Sequence, residues 1–553
     1  MPCINCYIAW AQQALTYAPS LILPGLVWLV ALWSPSSSAT TSVYGPRWLP
    51  RFVRGILAAY RLGVDEDAFL LSVHHQFGGV CYLPWPLCQY LVTDGASIQK
   101  IYDTSSKSLA FSPIRTEMQH TVFDSSQYTL QSGVLETKIF PAHGRGLAKG
   151  QLGLPLERFV ASIQARLADL GEQIDAAGGS IELDLVKWVT TTMFEGATPA
   201  LFGSELFSAE QSSTLSPSEL MKAFAAFDGG FPLFASGMVP PSLHSFVRPL
   251  ANGIDGRRKL VRHLAEWIEA DMPGLEEGVV REMADIATGA GLPAEEGAKM
   301  LLGTLWALQA NAPFAALHHI LYLTQSTLLP TLLAELDSHL ASSASPLSFP
   351  TLSNSASLPL LTSTLWETLR LSSSSFSIRI VQEKEGFFLA SPTASSSPAA
   401  SSDDDHEADA RAPPMTSAGH LIPQGARIVS ATRVSHLLNE QEGTKWDGRR
   451  FMGEEGRKRA ARDVRAFGGG ISVCEGRSLA LSELTALSLL LLTSFTITPI
   501  PSAYPPGEAR PLRFRGQESE GVAPRLLPGR VGLGIHQIEG EARFKIARRV
   551  KSV

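Results

Sequence analysis

One short loop constrains this chain more than any other feature. Residues 467–477 read FGGGISVCEGR, and the apolar run SLALSELTALSLLLL follows at once. Three glycines before Cys474 and one behind it predict a tight turn whose backbone approaches something closely. The long apolar run that follows predicts a core helix. A cysteine placed there is either a buried thiol in a glycine turn before a core helix, or a sulfur deliberately held open.

Composition bounds the rest. A chain of 553 residues, 45% hydrophobic and 18% charged, can bury a large core as one big globular domain or two ordinary ones. A net charge of -6 gives no general basic surface for nucleic acid. The five cysteines, Cys3, Cys6, Cys81, Cys88 and Cys474, form no disulfide framework and suit a reducing compartment. The lone CINC at 3–6 has no partner pair and predicts neither a metal site nor a redox site.

Residues 1–46 contain no Asp, Glu, Lys or Arg. Within them ALTYAPSLILPGLVWLVALW, residues 14–33, is about as long as a bilayer-spanning helix requires. Arg47, Arg51, Arg54 and Arg61 follow and predict that the domain from residue 47 to 553 stays cytosolic behind an N-terminal membrane anchor. A cleaved signal peptide is the alternative, although the basic n-region is missing. Beyond the anchor the pattern is mainly helical, with apolar residues at helical spacing over 256–272 and 294–323. Two Ser- and Pro-rich segments, 341–357 and 390–419, read as surface insertions. The tail from about residue 495 carries β-prone pieces, FTITPI and EARFKIARRV, that predict a small sheet.

The open-sulfur reading of Cys474 has a definite chemistry. A thiolate that ligates a heme iron needs access to the metal on one side, cover on the other, and backbone N–H groups that tune its electron donation. Phe467 supplies cover, Gly470 a turn with close approach, and Gly476 room for the next helix to begin against the macrocycle. Upstream, Glu367 and Arg370 in LWETLRL stand three apart on one helical face and pair. Arg450 in KWDGRRF is a third partner, predicting a buried ionic cluster that clamps the segment leading to the ligand.

The set WETLR, WDGRRF and FGGGISVCEGR, in that order behind an N-terminal anchor, resembles the cytochrome P-450 family of heme-thiolate monooxygenases from about residue 45 onward. The resemblance implies a mainly α fold with a smaller β region, and heme b ligated by Cys474. It also implies electrons from an NADPH-cytochrome reductase and an endoplasmic reticulum location with the catalytic domain in the cytosol. By the same likeness Arg379 in FSIRIV and Arg145 in PAHGRGLAKG match arginines that hold heme propionates. The chain departs from the family's pattern at Ser472, where a basic residue is usual, and at Gly448 and Arg449, which stand for proline and glutamate.

The long central helix departs further. Where the family carries an acid followed by a threonine, TLWALQANAPFAALHH holds Ala310 and Asn311, so Gln309 and Asn311 become the candidate catalytic side chains. Both amides need partners if buried. Pro313 predicts a kink beside them, and a helix with one polar stripe satisfied by its neighbours is the alternative. His318 and His319 read as packing residues. The stretch LQANAPFAAL resembles the branch containing the sterol 7α- and 12α-hydroxylases and prostacyclin synthase. In FDGGFPLFASGMVP, similar to that branch's loop over the substrate channel, Phe227, Phe231, Phe234 and Met238 line an apolar entry or else pack in the core. The resemblance therefore implies oxygen insertion from O2 into a lipophilic substrate, a sterol, terpenoid or other secondary metabolite. A reductase-independent isomerase or dehydratase acting on a peroxide or epoxide is the second reading, and a non-catalytic heme-binding protein the third. The Ser-rich insertions and the branch likeness point to a fungal biosynthetic enzyme.

Overall fold

The structure, a computed structural model, describes residues 41–207, 215–390, 419–438, 443–500 and 509–550. The expected anchor up to residue 40 and the insertion between its two ends at 390 and 419 lie outside the described residues. The chain is mainly helical with a smaller strand content. The principal helices are α1 (Arg51–Val64), α2 (Glu66–Phe77), α3 (Gly95–Asp103), α4 (Ser112–Thr121), α5 (Phe140–Gly146) and α6 (Gly153–Ala176). They continue as α7 (Leu185–Phe202), α8 (Pro217–Ser236), α9 (Arg248–Glu269), α10 (Val279–Gly289), α11 (Ala294–Gln309) and α12 (Ala312–Gln325). The last are α13 (Leu329–Ser342), α14 (Pro359–Ser372), α15 (Arg433–Leu438), α16 (Gly453–Asp463) and α17 (Arg477–Ser494).

Local chemistry sets several of these boundaries. Ser216 caps α8 in a reciprocal box with Glu219, satisfying amides that the first turn leaves free. Asp184 starts α7 by accepting from the Val186 and Lys187 amides. The apolar run after Cys474 becomes α17, buried along nearly its whole length from Ser482 to Thr493. It lies in the larger core cluster with α6, α7, α12 and α14. A second cluster gathers α8 to α11 around Phe227, Phe231 and Trp267.

The strands follow β1 (Val80–Leu83), β2 (Gln89–Val92), β3 (Leu109–Ala110), β4 (Ser180–Asp184), β5 (Ser373–Val381), β6 (Phe387–Ala390) and β7 (Gly419–Ile422). After these come β8 (Arg427–Ala431), β9 (Phe495–Pro499), β10 (Ala509–Leu512), β11 (Gly521–Pro524), β12 (Leu533–Ile535) and β13 (Arg543–Arg548). The main sheet runs β1-β2-β8-β5-β12, with β3 also on β5, and only its β2–β8 pair is parallel. The two β-prone tail pieces pair with each other: β13 lies between β4 and β9, with Ile546 opposite both Ile181 and Ile497.

One expectation changes on this frame. The segment 341–357 is built into the body, not a loose surface insertion: Leu352 is buried, and Leu347 and Phe349 pack against the core. Its serines serve as turn formers, with Ser348 bonding Thr351 at 2.9 Å. Among the described residues one stretch, Ala294–Gln325, is long and apolar enough to cross a membrane, but 67% of its most apolar window is buried within the protein. It is the central helix pair α11–α12, interrupted at Ala310–Asn311.

Candidate functional site around Cys474

The cysteine loop is closed by backbone bonds. The Cys474 amide donates to the Phe467 carbonyl at 2.9 Å, and Gly468 donates to Arg465 at 3.0 Å. Phe467 is half-buried and meets Trp366 of α14 edge-on, with ring centroids 6.1 Å apart. Gly470 has φ +64°, and a Cβ there would fall 2.1 Å from the Tyr102 carbonyl oxygen. The close approach that this glycine permits is therefore to α3. Gly476 differs: a Cβ would meet nothing nearer than the Cys474 sulfur and Leu147, both at 4.0 Å.

Cys474 is accessible to solvent although it lies deep. Burial, with the Glu475 charge, leaves its thiol pKa raised, while the nearby Gly476 and Arg477 amides act in the opposite direction; the Arg477 N–H itself donates to the Cys474 carbonyl at 3.4 Å. Two N–H donors at the start of α17 are also what a sulfur requires if it is to carry negative charge.

Arg379 on β5 is 2% exposed. Its guanidinium donates to the Ile378 carbonyl at 2.8 Å, to Ser377 Oγ at 3.3 Å and, at 3.5 Å, to the Gly469 carbonyl of the cysteine loop. It also lies over the Phe111 ring at 5.5 Å. Among the described residues no carboxylate pairs with it, and burial draws its pKa down. A buried cation with neutral partners only is an uncompensated charge, ready for an anion.

The ionic cluster has the expected membership. Glu367, fully buried, accepts from Arg370 Nε at 2.8 Å and Arg450 Nε at 3.0 Å on one oxygen. Its other oxygen accepts Arg370 Nη2 and the Asp447 amide, both at 2.8 Å. Arg370 also donates to the carbonyls of His436 and Gly443. The segment before the cysteine loop is thus fastened to α14 through charges with every lone pair engaged.

Other candidates fall elsewhere. Arg145 does not turn toward the cysteine loop: its side chain is 63% exposed and pairs with Glu282 at 2.6 Å. Its neighbour His143 turns inward instead, with Nδ1 2.5 Å from Glu475, and Arg115 reaches the same carboxylate at 3.2 Å. Burial alone would raise the Glu475 carboxyl, but His143 and Arg115 hold it below the ordinary range. Phe227, Phe231 and Phe234 are buried in the second core cluster. Phe231 stacks on Trp306 of α11 with centroids 3.7 Å apart. Met238 alone of the four is exposed, on the loop after α8.

The central helix does break beside Pro313. Asn311 leaves helical geometry at φ -124°, and its side-chain oxygen accepts the Ile535 amide at 2.8 Å. Gln309 donates to Thr198 of α7 at 3.0 Å, while its Oε1 is buried without a partner. His318 and His319 are packed and neutral, their pKa values lowered by burial to about 3. His319 bridges Ser488 and Thr364, at 3.0 Å each.

Sequence patterns did not reveal three groups. Glu475 with His143 and Arg115 adjoins the sulfur, and its only signal was an acid directly after the cysteine. Asp228 gathers Trp306, Arg530 and Gln537, signalled by a lone acid within an aromatic run. Glu483 on α17 is fully buried and both its oxygens lack partners. Among the described residues no three His, Cys, Asp or Glu side chains converge on a metal site, which leaves ligation by a single thiolate untouched. No family model matches the chain, and no curated protein matches it.

Proposed function

We propose that the chain is a heme-thiolate monooxygenase with the cytochrome P-450 fold. The supporting observation is the pairing of an exposed sulfur, at the start of α17 beside the Gly476 and Arg477 amides, with a buried Arg379 that lacks a carboxylate partner among the described residues. Heme b fits these residues: Cys474 would ligate its iron, and Arg379 would take one of its carboxylates. The bound group supplies activation of O2, with electrons from an NADPH-cytochrome reductase.

The chain's own residues bind, orient and shield. The Gly476 and Arg477 amides stabilise negative charge on Sγ and moderate its donation. Gly476 leaves space beside the sulfur that a larger side chain would take. Phe467, fixed against Trp366, shields the loop. Glu367, Arg370 and Arg450 hold the approach to the loop rigid. The substrate is a lipophilic small molecule, the anchor holds the domain at the endoplasmic reticulum membrane, and the catalytic domain faces the cytosol.

A second reading rests on Asn311. Its oxygen is already engaged by Ile535, and neither it nor Gln309 is an acid, so the helix break offers no side chain that gives up a proton near neutral pH. That chemistry also suits rearrangement of a peroxide or epoxide without a reductase. Comparing metabolites of the source organism with and without the gene tests both. A precursor one oxygen atom lighter than the lost product supports oxygenation. An accumulated isomer of that product supports rearrangement, and an unchanged profile counts against either activity.

A further inference from the structure

Asn311 does not hold its own position. Its side-chain oxygen reaches a strap, residues Arg530–Gln537, that crosses from the end of β11 to the main sheet through β12. Gly534 of the strap has φ +118°, and a Cβ there would fall 2.1 Å from Asn311 Oδ1. Asn311 therefore meets the strap where only a glycine backbone leaves room.

Both segments that meet at Asn311 are held by one carboxylate on a third. Asp228 of α8 accepts Trp306 Nε1 at 2.9 Å, one helical turn before the break in α11. It also accepts Gln537 Nε2 and Arg530 Nη2, each at 2.9 Å, from the two ends of the strap. Arg530 Nη1 bonds the Asp228 carbonyl at 2.9 Å as well. The Asp228 and Arg530 side chains are only 10% and 7% exposed, so neither charge has water as a substitute partner. The flat stack of Phe231 on Trp306 fixes the α8–α11 contact next to the carboxylate.

We propose that Asp228 is a positioning residue that sets Asn311 by fastening the helix break and the strap to α8. Its bearing on chemistry rests on the heme-thiolate reading, whereas the mechanical link stands on geometry alone. An amide at 228 offers one acceptor oxygen to three donors and must turn its own N–H groups toward at least one of them. Moving the carboxylate across the contact restores complementarity: in Asp228→Asn with Gln537→Glu, the new amide donates to the new carboxylate, its oxygen still accepts from Trp306 and Arg530, and an anion stays in the cluster.

Hydrogen exchange followed by mass spectrometry on the full-length protein tests this, reading the peptide that carries the Ile535 amide. Asp228→Asn is expected to speed its exchange roughly ten- to a hundredfold, the range for losing a hydrogen bond to a charged group. Asn311→Ala should speed the same peptide, the Asp228→Asn, Asn311→Ala pair should add little more, and the swapped pair with Gln537→Glu should return toward wild type. Faster exchange confined to α8, or no rescue by the swap, would overturn the proposal. Heme content of the same wild-type sample is measured in parallel; its absence would count against the heme-thiolate reading and leave the exchange result to decide the link by itself.

Discussion

Glu483→Gln should stabilise the protein at neutral pH and do so progressively less as the pH falls. The carboxyl is fully buried on α17, neither oxygen has a partner, and burial pushes its pKa up to about 8. An unfolded chain would titrate it near 4.3. Between those values the folded protein keeps a proton that the unfolded chain has released, so stability falls as pH rises. Each unit is worth about 1.4 kcal/mol, and pH 7 lies about 2.7 units above the unfolded value, which gives a cost of about 3.5 kcal/mol. Glutamine removes that cost because it never ionises. Both forms keep a neutral unsatisfied group, so the difference between them should shrink toward zero near pH 4.5. At roughly 2 cal/mol/K of unfolding entropy per residue, about 3.5 kcal/mol corresponds to a rise in Tm of about 3 °C. Parallel thermal scans of wild type and variant at pH 5, 7 and 8 measure it, and titrations common to both proteins cancel. An equal shift at every pH would refute the linkage. A variant less stable than wild type at pH 7 would mean that the carboxylate is charged and paired.

The remaining expectations concern the cluster, the glycine turn and the two candidate arginines. Glu367→Gln leaves the buried guanidinium groups of Arg370 and Arg450 without their anion and should cost about 3–5 kcal/mol, read as a fall in the urea midpoint. Gly470→Ala combines φ +64° with an overlap at 2.1 Å and should lower Tm clearly, whereas Gly476→Ala should fold normally and lose heme affinity in titration. Arg379→Leu should fold at least as well as wild type because it removes an uncompensated buried charge, yet its heme content should drop. Arg145→Ala, which breaks an exposed pair, should shift stability by under about 1 kcal/mol and leave heme content unchanged.

Legibility in the sequence followed the range of the interactions. Glu367 and Arg370 were readable because helical spacing alone sets them side by side, and Pro313 announced the break because it removes an amide wherever it stands. The apolar run that became α17 was readable as a core helix from its length and composition. Phe227, Phe231 and Phe234 show the opposite case: periodicity marks an apolar face, but whether it meets a cavity or a neighbouring helix depends on α9 and α11. Residues 341–357 were misjudged because serine content outweighed the three apolar anchors Leu347, Phe349 and Leu352. Arg145 sits on the surface with Glu282 for a local reason, since nearby His143 points inward to Glu475, and no spacing announced that. The Ile535 amide that engages Asn311 lies too far along the chain for any motif to join them.

The central claim is that the Cys474 sulfur ligates a heme iron. Its most direct test is the absorption spectrum of the reduced carbon monoxide complex of the full-length protein, taken beside Cys474→Ala. The account predicts a thiolate-type, red-shifted Soret band in the wild type and none in the variant. The same band in both proteins, or wild-type protein that takes up no heme, would contradict it.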